Sequence, residues 1–190
     1  MNQIISPEFI RDVSKRATCL YTREQVQAAI DAMALKISED LSESNPVVLC
    51  VMIGGVVPTG MLLTRLDFPL QVDYVHATRY KDQIVGQEIE WIVRPSVSLE
   101  KRTVLIVDDI LDGGVTLSHI AEFCKTKGAK EVKTAVLVEK QTERHQSALQ
   151  KADYTGAIVE DRFIFGYGMD YKRYLRNAPG IYAVCKEDEK

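Results

Sequence analysis

The sequence predicts an α/β protein built on an open, mostly parallel, twisted sheet flanked by helices. Two observations carry that expectation. Short apolar runs rich in β-branched residues, at 47–53 and 104–107, have the composition of strands buried on both faces, and 132–138 reads as a further strand. Segments with apolar residues at helical spacing stand between them, and alternating strand and helix implies parallel strands joined by crossover helices. Ligands of such sheets bind beyond the carboxyl ends of the strands.

In chain order, Thr22 and Gln25 form a capping box, and Val26, Ala29, Ile30, Met33, Ile37 and Leu41 follow with helical spacing up to Asn45-Pro46. The first buried strand comes next, is broken by Gly54 and Gly55, and leads to a helix that Pro58 opens and that runs to about Leu66. Residues 70–78 read as a strand and residues 79–88 as a polar, flexible segment. Ile89, Trp91 and Val93 alternate with polar residues, as on a half-exposed strand. After the run at 104–107, Leu117, Ile120, Ala121 and Cys124 line one face of a helix that Gly128 terminates. Strands at 132–138 and 157–159 complete the pattern.

A chain of 190 residues with 46% hydrophobic and 27% charged residues is one domain's worth and buries a core without staples. The formal net charge of −3 argues against a dedicated nucleic-acid binder, and no nucleic-acid partner is expected. The four cysteines form no CxxC pair and have no histidine at metal-ligand spacing. Three lie in apolar sequence and read as buried thiols, which fits a reducing cytosol. With neither a signal-peptide pattern nor an apolar stretch near the roughly 20 residues a membrane span needs, a soluble cytoplasmic protein without a membrane partner is expected.

The chemistry concentrates in residues 104–117, where a buried strand runs into Asp108 and Asp109, then a loop with Asp112, Gly113, Gly114, Val115 and Thr116, then a helix. The glycines let the backbone approach an anion, and their N–H groups, with Thr116 and the positive end of the helix, suit a phosphate monoester. Acids beside a phosphate site suit a polyol or a bridging cation. An isolated Asp-Gly-Gly is an ordinary turn; the longer pattern is neither a Walker loop nor a dinucleotide fingerprint.

The segment resembles the phosphoribosyl-pyrophosphate (PRPP) signature of the type I phosphoribosyltransferases, and other segments look like the hypoxanthine-guanine branch of that family. The resemblance runs from about Thr22 to about Val184. It implies one domain over 1–190, with a core at about 22–160 and a small hood over the strand ends, made from the N-terminal segment and about 161–190. It implies Asp108 and Asp109 on the ribose hydroxyls and at a magnesium site, Asp112 as general base facing N7 of the purine, and residues Asp112 to Thr116 around the 5′-phosphate. In Leu137-Val138-Glu139-Lys140, Lys140 would read the purine 6-oxo group. In the segment from Phe163 to Tyr171, Phe163 would stack on the base, the Ile164 backbone would bond its edge, and Asp170 would bind magnesium. Ile53 and Gly54 align with the pyrophosphate loop, and Arg176 matches a basic residue that contacts pyrophosphate. The departures are Ile53, where many members carry lysine, Arg79, a candidate for the missing charge where serine is common, and Gly113 and Val115, which leave phosphate contacts mainly to backbone.

The implied activity is purine salvage. Ribose 5-phosphate would pass from PRPP to hypoxanthine or guanine with Mg²⁺, in a homodimer or homotetramer. The alternatives are a weakly catalytic nucleotide-binding regulator on the same fold and an enzyme preferring xanthine.

Overall fold

A computed structural model describes residues 5–79 and 89–189. The elements are α1 (Pro7–Arg16), β1 (Thr18–Tyr21), α2 (Arg23–Leu41), β2 (Val47–Met52), α3 (Val56–Leu63), β3 (Gln71–Arg79), β4 (Ile89–Val93), β5 (Thr103–Leu111), α4 (Val115–Thr126), β6 (Glu131–Gln141), β7 (Tyr154–Glu160), β8 (Ile164–Phe165) and β9 (Ile181–Ala183). Six strands form one sheet in the order β4-β3-β2-β5-β6-β7. All neighbours are parallel except the β3–β4 pair at one edge.

The elements form where local chemistry places them. Both bonds of the capping box are made: Thr22 N–H donates to Gln25 Oε1 at 2.8 Å, and Gln25 N–H donates to Thr22 Oγ1 at 3.4 Å. Val26, Ile30, Met33, Ile37 and Leu41 bury one stripe of α2 with Val48, Leu105, Val107 and Leu137 of the sheet. On the opposite face Leu117, Ile120 and Cys124 of α4 pack with Val47, Leu49, Val104, Ile106 and Val136. Neighbouring residues of one strand thus serve two helical layers, which is why the strands read as unbroken apolar runs. Each fully buried Ile or Leu among them contributes about 1.5–3 kcal/mol.

Three expectations shift. The helix after the glycines starts at Val56, with Gly55 as its N-cap and Pro58 inside its first turn. Helix α1 was not anticipated; Ser6 caps it through Phe9 N–H at 3.2 Å, Pro7 stands in its first turn, and Ile10 and Val13 pack with Phe165, Tyr171 and Val184. Two cysteines rather than three are buried, Cys50 and Cys124, while Cys19 is exposed on β1. β1 is an edge of a second, three-stranded antiparallel sheet of order β1-β9-β8.

Candidate active site

The site grows from a reversal of strand order. From β2 the chain moves to β3 on one side, then returns to β5 on the other. β2 and β5 pair only as far as Cys50 and Val107, after which β2 continues along β3 alone to Met52 before entering its loop. A crevice opens there, at a topological switch point beyond the strand ends.

Asp108 and Asp109 were expected to leave the strand end; they lie inside β5. The reason is β6, which keeps pairing with β5 through Asp108–Val136, Ile110–Val138 and Leu111–Glu139. The acids are therefore carried on a rigid strand with one edge unpaired. Asp109 is buried and Asp108 half-buried. Burial pushes the Asp108 carboxyl well above the usual carboxylate range, and the neighbouring Asp109 charge adds to this. Burial raises Asp109 too, partly offset by its hydrogen bond with Asp108 and the positive charge of Arg176.

Gly54 is required by close approach. Its missing side chain leaves the space that the Asp109 carboxylate fills. Beside it, Ile53 is 50% exposed and follows a cis peptide bond from Met52. Gly114 takes φ +73° and caps α4, and its missing side chain makes room for the Leu149 carbonyl. The first turn of α4 carries no acid of its own, and its free N–H groups and Thr116 face the crevice. Val115 begins the helix and Gly113 lies in the loop before it.

A cavity of about 350 Å³ collects Ile53, Gly54, Asp108, Asp109, Asp112, Gly114, Thr116, Asp170 and Arg176. A second of about 200 Å³ adjoins it through Asp109, Ile110, Asp112 and Asp170, and is lined by Lys140, Phe163, Ile164 and Met169. Residues far apart in sequence, expected around a base and around a ribose phosphate, thus line one continuous trough. Asp112 stands at the junction.

In the smaller cavity the Lys140 ammonium is 3.5 Å from Asp112 Oδ2 and 3.4 Å from Asp161 Oδ1. Phe163 is 43% exposed, edge-on to Tyr171 with ring centroids 5.9 Å apart. Phe165 and Tyr167, two and four residues further on, are buried, and Gly166 and Tyr167 take positive φ. Ile164 is buried in β8, and the β8–β9 pairing fixes its backbone.

Arg176 links the C-terminal segment to the acids. It lies 2.6 Å from Asp170 Oδ1 and 3.8 Å from Asp109 Oδ2, and donates to the Gly168 carbonyl at 2.5 Å. Asp170 Oδ2 also accepts the Arg173 N–H at 2.6 Å. The three aspartates expected around magnesium are therefore not gathered into a site made of protein alone, because Arg176 stands between Asp109 and Asp170. Among the described residues no group of three or more His, Cys, Asp or Glu is arranged to hold a metal. Arg79 ends β3, but its side chain and residues 80–88 lie outside the described residues.

Two neighbours of the site were missed from sequence. Asp161 is the second partner of Lys140 and also accepts the Thr142 hydroxyl at 3.2 Å. Arg144 is buried behind Asp112 and bonds backbone carbonyls there. A polar loop residue four positions past a strand-end lysine carries no sequence signal for this.

Residues 17–172 match the family model described as phosphoribosyl transferase domain. A hypoxanthine-guanine phosphoribosyltransferase of Bacillus subtilis is 30% identical over 85% of this chain and 89% of its own length. The bifunctional protein TilS/HprT of Listeria innocua is 33% identical over 85% of this chain, which spans about a quarter of that longer relative (25%). The crystal structure of a hypoxanthine phosphoribosyltransferase from Staphylococcus aureus superposes with a TM-score of 0.86 at 26% identity, covering 99% of this chain and 100% of that one. With a sheet, a switch-point crevice and a sequence match that all agree, the chain belongs to the phosphoribosyltransferase family, in its hypoxanthine-guanine branch.

Proposed function

We propose that the protein transfers the 5-phosphoribosyl group of PRPP to the 6-oxopurines hypoxanthine and guanine, releasing pyrophosphate. One observation carries the reading: Asp112 sits where a phosphate-binding helix terminus and a slot holding Lys140 and Phe163 meet. A purine between them meets the face of Phe163. In the N7–H tautomer of the free base, the 6-oxo acceptor and the N7–H donor are adjacent on one edge. Lys140, a donor only, addresses the oxygen, and Asp112, 3.5 Å from that ammonium, accepts the N7 proton as N9 attacks C1′. Base binding thus replaces Asp112 as a partner of Lys140 and frees the carboxylate to take the proton, while Asp161 keeps its hold on Lys140.

The C1′–pyrophosphate bond breaks as the ribose gains oxocarbenium character. Asp108 and Asp109 accept hydrogen bonds from the ribose hydroxyls. Backbone N–H groups from Asp112 to Thr116, Gly113, Gly114 and Val115 among them, hold the 5′-phosphate. The loop at Ile53 and Gly54, with Arg176, faces the departing pyrophosphate. The adjacent carboxylates of Asp108 and Asp109, with Asp170 lining the same cavity, form an oxygen donor set that fits Mg²⁺, which takes one or two carboxylates and completes its shell with substrate oxygens and water. Asp108, Asp109 and Asp170 would hold it, and it would supply charge neutralisation to the pyrophosphate.

The three-stranded sheet, bearing Ile164 and flanked by Phe163, serves as the hood of a single domain. Val56, Val72 and Tyr74 are exposed around an apolar groove of about 500 Å³ between α3 and β3. That face supports a homodimer or homotetramer. Among the described residues no helix is long and apolar enough to cross a membrane. All four cysteines are free, which supports a cytoplasmic setting. Steady-state turnover of hypoxanthine, guanine, xanthine and adenine with PRPP and Mg²⁺ tests the reading. Pyrophosphate release with the first two is expected, and none with any oxopurine would overturn it.

A further inference from the structure

We propose that Arg144 is a positioning residue that clamps the phosphate-binding loop to the base-reading strand and so sets the separation of Asp112 and Lys140. The inference rests on the phosphoribosyltransferase reading above. The Arg144 side chain is only 7% exposed. Its Nε donates to the Asp112 carbonyl at 2.7 Å. Its Nη2 donates to the Leu111 carbonyl at 3.1 Å and the Lys140 carbonyl at 2.6 Å, and Nη1 donates to the Gln150 carbonyl at 3.0 Å. Behind it Glu139 Oε1 lies 3.8 Å away, and the other oxygen of Glu139 accepts the Thr155 hydroxyl at 2.9 Å.

The location gives these bonds their meaning. The β5–β6 ladder ends at Leu111 and Glu139, one residue before each of the two side chains that must face the base. Beyond that pair no ladder bond fixes the distance between Asp112 and Lys140, and one planar guanidinium does so instead. The segment that carries Arg144 also braces the end of that loop and the helix it leads into. Leu149 N–H donates to the Gly114 carbonyl at 3.3 Å, and the Ser118 hydroxyl to the Ser147 carbonyl at 3.2 Å. Asp112 and Lys140 must address neighbouring atoms of one purine, and a misplacement of about 1 Å costs on the order of 100-fold in rate.

Arg144→Lys keeps the charge beside Glu139 but loses the rigid fork that spans Leu111, Asp112 and Lys140. With folding checked by circular dichroism and Tm, kcat/KM for hypoxanthine is expected to fall about 10–100-fold. KM for hypoxanthine should rise more than KM for PRPP, and the preference for hypoxanthine over adenine should narrow. In a Lys140→Ala background the same change should leave that preference unmoved. A purely structural Arg144 would lower Tm with the preference intact. That result, or full additivity with Lys140→Ala, overturns the proposal. Should Arg144→Lys not fold, Glu139→Gln loosens only the carboxylate behind the guanidinium; a smaller narrowing supports the clamp and an unchanged preference overturns it. Wild-type turnover is read in the same assay, and its absence overturns the phosphoribosyltransferase reading and the clamp with it.

Discussion

The Lys140 ammonium and the Asp112 carboxylate face each other at 3.5 Å across the mouth of the base cavity, each carried one residue beyond the last ladder pair of neighbouring strands. The separation suits two adjacent atoms on one purine edge, and the proposed mechanism gives the two residues separate roles: Lys140 to select the base and Asp112 to move its proton.

Asp112→Asn keeps the shape and removes the proton acceptor. Turnover is expected to fall about 10²–10⁴-fold while KM for PRPP changes little. A kcat within a few-fold of wild type would take Asp112 out of the general-base role.

Lys140→Ala removes a donor that is satisfied by a 6-oxo group and opposed by the 6-amino group of adenine. Use of hypoxanthine and guanine should weaken, and the gap to adenine should narrow toward the roughly 10-fold to 200-fold typical of apolar pockets. Unchanged guanine and hypoxanthine kinetics would make Lys140 a mere partner of Asp112 and Asp161.

Asp108 and Asp109 set function against stability. A carboxyl whose folded pKa is raised retains its proton on folding. Its destabilising effect is absent below the unfolded value of about 4 and grows as pH rises through the folded value. The free protein should therefore lose Tm as pH rises from about 4 toward neutrality. Asp108→Asn should flatten that decline and raise Tm at neutral pH, by about 2–4 °C for each kcal/mol gained. The same variant should lose the Tm increase that PRPP with Mg²⁺ gives the wild type. Thermal scans across pH, with and without PRPP and Mg²⁺, measure both, and a variant less stable at every pH would contradict the burial argument.

Ile53 presents an apolar side chain at 50% exposure to the mouth of the larger cavity. Ile53→Lys should tighten pyrophosphate binding about tenfold, the worth of one charge-assisted hydrogen bond of about 1.5–3 kcal/mol. If Arg79 supplies that charge on the way to the transition state, Arg79→Ser lowers kcat and Ile53→Lys recovers part of the loss. Strict additivity in the double-mutant cycle, measured by titration calorimetry and steady-state kinetics, would show two independent residues.

The sheet was legible because its strands are buried on both faces, and runs such as 47–53 carry that burial as composition. The candidate site was legible where it is contiguous: Asp108 to Thr116 lie on one strand-loop-helix unit. The limit of β5 was not legible, because its last residues are held by pairing with β6 rather than by their own side chains. Helix α1 escaped because its apolar stripe is narrow, with only Ile10 and Val13 buried. Arg144 and Asp161 escaped for a third reason: their partners are backbone carbonyls and a lysine brought near by the fold, and neither leaves a trace in local sequence.

The second sheet has a consequence for biosynthesis. Its middle strand is β9, so Thr18 waits for Ala183 and Ile164 finds its partner in the same late strand. Asp108 and Asp112 leave the ribosome long before, and at about 5–20 residues per second several seconds pass before β9 follows. During that interval the nascent chain holds its carboxylates without the wall that shapes the base slot and, until residue 176 emerges, without the guanidinium beside them. The trough takes its full shape only once β9 has paired with both β1 and β8, so the wall at Ile164 depends on a strand that also pairs with residues as distant in sequence as Thr18.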